Sequence, residues 1–149
     1  IKRAMERRAD AVAALICGSE SCSSALRTAH AISGAFEILA QRQLIEALRE
    51  GRSFVNYYSV FRESLPQVSA LVSDLERTAL AETESAYDLH PPLSARLRSL
   101  PRAPERWHNL ELGSTLVAHL EQYERTLTQG YVRLLRTALS HTADVRLGS

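Results

Sequence analysis

The stretch Val68–Ala79, "VSALVSDLERTA", decides the fold class. Its apolar residues Val68, Leu71, Val72, Leu75 and Ala79 fall at i, i+3, i+4, i+7 and i+11. That spacing puts them on one face of an α-helix and on both faces of a strand, so the segment reads as a helix. Ser64 and Pro66 just before it restart the chain, since proline suits the first turn of a helix. Working outward, every long segment repeats the helical period and none alternates with period 2. The expected fold is therefore all-α, with five or six helices in a single orthogonal or bundle-like domain over residues 1–149.

Toward the N-terminus, Gly18 is a helix stop for a first helix over Lys2–Cys17. A second helix starts among Ser19–Ser21, where several N-cap residues compete, and ends at Gly51. Gly34 inside it marks a kink or a close helix contact. Ser53 is expected to cap a third helix carrying Phe54, Tyr57, Tyr58 and Phe61. Toward the C-terminus, "YDLHPPLSARLRSLPRAP" makes a turn around Asp88 and two prolines, then a short helix over Pro92–Leu100. A last long helix is capped at Ser114 and runs to Ser140. Leu116, Leu120, Tyr123, Leu127, Tyr131, Leu134 and Ala138 line one stripe of it, read as core packing, with a partner seam as the alternative. Gly130 is a weak spot within it, and the tail after Ser140 is expected to fray. Trp107 reads as a loop anchor against the core.

Composition excludes several function classes. Charged residues make up 23% and hydrophobic residues 45% of the 149, ordinary values for a globular domain. The formal net charge is +1, which leaves no electrostatic footprint for nucleic acid. No apolar run reaches the ~20 residues that span a bilayer, and no signal peptide opens the chain. Lys2 is the only lysine among 18 basic residues, a bias that points to a GC-rich bacterial genome. The helix under way at the first residue suggests a piece of a longer protein. Cys17 and Cys22 match no common zinc spacing and read as small buried or half-buried thiols, a local disulfide being the alternative. There is no Gly-rich phosphate loop and no defensible Ser/His/Asp set.

One pair of residues carries more. In "ERRAD", Glu6 and Asp10 stand four apart, which places both carboxylates on one helix face about a turn apart. Like charges so placed repel by a few tenths of a kcal/mol, so the face asks for a reason. The run ERRADAVAALICGSESCSSAL, followed by DLHPPLSARLRSL with Asp88, His90, Pro91, Pro92 and Arg96, resembles HtpX-like, CaaX-prenyl-protease-type zinc metallopeptidases (peptidase family M forty-eight). The resemblance covers Met5–Leu100. The residues beyond resemble only the variable helical tails of such proteins.

The resemblance implies that Glu6 is the third zinc ligand and Asp10 the partner that orients a ligand histidine. It places the His90 turn near the active-site cleft and has Arg96 pin the short helix to the domain. His90 itself reads as a turn cap, with a zinc-covering role as the alternative. The chain has no HExxH: none of His30, His90, His108, His119 and His141 is followed by that pattern. Two zinc ligands and the general base are thus absent, and the chain alone is expected to be inactive. The function implied is the C-terminal helical half of a zinc-dependent endopeptidase acting on polypeptides, in a membrane-associated bacterial parent whose catalytic half lies outside this chain. The fragment itself is expected to be soluble. It could self-associate through the small residues Ala4, Ala11 and Ala14. The alternative is a non-catalytic helical module that keeps the scaffold and binds a partner through Phe54, Tyr57, Tyr58 and Phe61.

Overall fold

The computed structural model describes the backbone of residues 2–85, 89–105 and 117–147, and side chains to residue 140. The chain is all-α: the described residues form six helices and no strand. These are α1 Lys2–Cys17, α2 Ser19–Arg49, α3 Tyr57–Ser64, α4 Ser69–Ala81, α5 Leu93–Arg98 and α6 Leu120–Leu147. No described helix is long and apolar enough to cross a membrane. The expectations at Asp88, Trp107, His108, Ser114 and Leu116 lie outside the described residues.

The chain divides into two compact units. One comprises Ile1–Ala35 and Val68–Leu110, the other Phe36–Gln67 and Glu111–Ser149. The break between α1 and α2 falls where expected, at Gly18 with φ +104°. A side chain there would be strained by that φ and would also meet the backbone of Glu105.

In the first unit α4 packs on α5. Gly34 is a close approach: a Cβ at this position would sit 3.3 Å from Leu75 Cδ1. The second helix does not cap itself. Glu105 Oε1 accepts from the N–H groups of Glu20 at 2.9 Å and Ser21 at 3.2 Å. Ser19 instead ties the 101–103 loop, its Oγ donating to the Pro101 carbonyl (2.6 Å) and accepting from the Ala103 N–H (2.6 Å). A carboxylate thus sits at the positive end of the helix, where orphan N–H groups want an acceptor.

In the second unit α3 packs on α6. Helix α3 starts later than expected, because Asn56 rather than Ser53 caps it, its Oδ1 accepting from the Ser59 N–H at 3.1 Å. Phe54 consequently lies before the helix. Phe36 stacks on Tyr58 and meets Tyr57 and Phe61 edge-on, so this aromatic set is a core cluster. Tyr57 and Phe61 are buried and do not form the partner surface considered above.

Helix α6 departs most from expectation. It starts at Leu120 because His119 adopts a left-handed φ of +57°. It then continues through Gly130 and on to Leu147, so residues 141–147 of the expected frayed tail are helical. Its buried face is Glu124, Thr128 and Val132, while Tyr123, Leu127 and Leu134 of the apolar stripe are exposed. The reason is polar pairing across the unit. Asn56 Nδ2 donates to Glu124 Oε2 at 2.9 Å, Arg62 pairs with the same carboxylate, and the Tyr57 N–H donates to Thr128 Oγ1 at 2.9 Å.

The Arg62 hydrogen bond holds the Glu124 carboxyl below its ordinary 4.5, against burial, which raises it, and with help from Asn56. A carboxyl whose folded value is depressed stabilises the fold above its unfolded value. That contribution is lost as pH falls through the lowered value. Thermal melts should therefore show stability falling below pH 4.5. Glu124→Gln should lower stability at neutral pH and flatten that fall. An unchanged acid slope in Glu124→Gln would show that the pairing does not contribute.

Candidate functional site

The four residues singled out in the sequence meet in two pairs on one face of α1. Glu6 and Asp10 share that face, as their spacing requires. Glu6 Oε1 contacts His90 Nδ1, and Asp10 receives a two-point fork from Arg96. The fork is Nε to Oδ2 at 2.8 Å and the terminal nitrogen to Oδ1 at 2.7 Å. Such bidentate geometry fixes orientation as well as supplying charge-assisted bonds. Arg96 is held above its ordinary value by the Asp10 hydrogen bond first, against burial.

Asp10, expected to orient a ligand histidine, is 6% exposed and has both of its oxygens engaged by Arg96. Arg96 ties the short helix to the α1 carboxylate of Asp10. His90 ties its turn to Glu6 rather than capping that turn. Burial of Pro91, Pro92, Leu93, Ser94 and Ala95 holds the segment, and Ser94 Oγ donates to the Glu82 carbonyl at 2.6 Å. Helix α5 is shorter than expected at both ends. Pro92 sits at its N-cap, and the Ser99 N–H turns back to the Ala95 and Arg96 carbonyls.

A cavity of about 1020 Å³ opens beside the pairs, lined by Glu6, His30, Glu82, His90 and Arg96 among others. His30 was invisible as a site residue in the sequence, because nothing in its neighbours marks it. Glu84 was missed too; it pairs with both Arg3 and Arg7 beside the site. Cys17 and Cys22 are free thiols, and burial, then the neighbouring Cys17, pushes Cys22 up. Sulfur contacts run to backbone carbonyls, Cys17 to Ala13 and Cys22 to Asp10.

Zinc needs about four donors, three of them from protein in a catalytic site. Among the described residues no three His, Cys, Asp or Glu side chains come together as a metal-binding group. The chain offers Glu6 and the adjacent His90, which do not make a complete site. Ala14, offered above as part of an interaction face, is fully buried, whereas Ala4 is exposed. No family model, curated protein or solved structure matches the chain.

Proposed function

We propose that this chain is the C-terminal helical half of a bacterial, membrane-associated zinc-dependent endopeptidase, inactive alone and completed by a half that carries HExxH. The observation that carries the reading is the meeting of the two motifs. Glu6 and Asp10 lie 84 and 86 residues from His90 and Arg96, respectively, yet they pair in order along one helix face. In the resembling family these are the elements beside the metal. Zinc would supply the Lewis acid that activates water for peptide hydrolysis. This chain's part is to present the Glu6 carboxylate beside a polar cavity and to hold α1 and α5 in register through Asp10 and Arg96. A polypeptide substrate would run along that cavity.

The second reading, a non-catalytic helical module that keeps the scaffold, is favoured by the Asp10–Arg96 pair. Both Asp10 oxygens serve the fold, as they would in a module with no metal.

The test begins with the coding sequence upstream of Ile1, which should contain HExxH. In the complete protein, Glu6→Gln should abolish casein cleavage and remove stoichiometric zinc, since it deletes an anionic ligand. Full activity with glutamine at position 6 would discard the peptidase reading in favour of the module.

A further inference from the structure

Gly130 has no structural reason of its own. It sits in the interior of α6, where glycine is the poorest helix former after proline. Its backbone does not take the left-handed φ seen at Gly18 and Gly51. A Cβ added to it would meet nothing within 4 Å, so no neighbour in the fold forbids a side chain there. What Gly130 borders is a cavity of about 650 Å³. That lies inside the range of roughly 300–1,000 Å³ in which small-molecule sites fall.

The cavity belongs to the second unit and is lined from α2, α3 and α6. Its apolar surface comes from Leu127 and Leu134 of α6, which are 55% and 69% exposed, and from the rings of Phe36, Tyr58 and Tyr131. The stack of Phe36 on Tyr58, with centroids 4.8 Å apart, fixes two of those rings. Among the described residues, the hydroxyls of Tyr58 and Tyr131 and the amide of Gln41 have no hydrogen-bond partner. Burial, then Glu124 and Tyr131, push the Tyr58 phenol above its ordinary value, so it stays a neutral hydroxyl. An apolar enclosure with a few free polar groups is the usual make-up of a ligand pocket.

Charge decides the kind of ligand. Glu37 is the one charged residue among the described lining, and no described cation pairs with it. The ring faces of Phe36, Tyr58 and Tyr131 carry negative potential too, and they attract a cation placed over them. Carboxylate and rings therefore favour a positive group and disfavour an anion.

We propose that this cavity binds a small soluble molecule that joins an apolar or aromatic body to an ammonium or quaternary ammonium group. The body occupies the space left open by Gly130, beside Leu127 and Leu134, and the cation is held by Glu37 and the aromatic rings. Glu6 and its neighbours belong to the first unit, so the proposal neither requires the peptidase reading nor falls with it.

Three probes that share one ring and differ in charge test it: benzyltrimethylammonium, benzyl alcohol and benzoate. Titrated into the full chain and followed by amide chemical shifts, benzyltrimethylammonium should saturate, with shifts at Tyr58, Gly130 and Tyr131. Benzyl alcohol should bind about tenfold more weakly, and benzoate more weakly still. Glu37→Gln alters an exposed side chain, so circular dichroism should show an intact fold while cation binding weakens about tenfold. Gly130→Leu should raise the melting midpoint by about 3 °C through helix propensity, yet weaken cation binding at least ~tenfold by filling the cavity. No saturable binding of any probe, or binding indifferent to Gly130→Leu, would overturn the site. Benzyl alcohol or benzoate binding as tightly as the cation, or a cation indifferent to Glu37→Gln, would overturn the ligand class. Capture of the chain by phosphatidylcholine vesicles without binding of the soluble cation would overturn the small-molecule assignment.

Discussion

Tyr57→Ala is expected to lower the thermal midpoint by about 10 °C, from a loss of roughly 3–5 kcal/mol at a fully buried aromatic position. Tyr57 is 1% exposed and belongs to the aromatic cluster around Phe36. Its ring meets Phe36 and Phe54 edge-on, with centroids 5.6 and 5.3 Å away. Truncation removes both contacts and leaves a cavity that the flanking helices fill only in part. The hydroxyl adds a smaller share by donating to Gln43 Oε1 at 2.7 Å. Burial, then Tyr131, pushes that phenol up to about 12, so it stays a donor through the neutral range. Tyr57→Phe should therefore cost only about 1 kcal/mol, the worth of one hydrogen bond. Calorimetry of the two variants separates ring from hydroxyl. A Tyr57→Ala midpoint within about 2 °C of the parent would mean the cluster does not hold the unit together.

Arg96→Ala should be nearly as damaging, at about 3 kcal/mol, because it leaves the buried Asp10 carboxylate without its counter-charge. The loss comes more from stranding Asp10 than from the attraction removed. Removing both partners should then cost less than the sum of the two single changes, by 1 kcal/mol or more. Arg96→Lys should recover only part of the stability, since an ammonium cannot form the two-point fork. Strict additivity in the double-mutant cycle would show that the pair is not coupled and that α5 is held by Pro91, Pro92 and Leu93 alone.

What was legible in the sequence was whatever local chemistry dictates. The α1–α2 break needs only Gly18, whose left-handed φ other residues avoid. The 68–79 stretch needs only its period, and the shared face of Glu6 and Asp10 only their spacing. What was not legible depends on partners far along the chain. The α6 stripe was chosen by hydrophobicity, yet the helix buries Glu124 and Thr128 because Arg62, Asn56 and the Tyr57 amide meet them there. The α3 cap is Asn56, whose extended backbone lets its side chain accept from the Ser59 N–H, three residues beyond the Ser53 that the sequence suggested. The pairing of Glu6 with His90 and of Asp10 with Arg96 followed from the two motifs only as a neighbourhood. Which atom met which, and the burial of Asp10, required the fold.

The Glu105 carboxylate that closes the N-terminus of α2 belongs to a residue 85 positions later. The first unit is thus a discontinuous body, with the 36–67 segment of the other unit interposed in its sequence. During synthesis, α1 and the opening turns of α2 emerge long before their acceptor does. Those amides must be satisfied by water until residue 105 has left the ribosome. Closing so long a loop carries an entropic penalty that grows only slowly with length, so the delay matters more than the free energy. The first unit becomes complete after the segment it encloses has already been made, which gives this small chain an order of assembly that its helix sequence alone does not reveal.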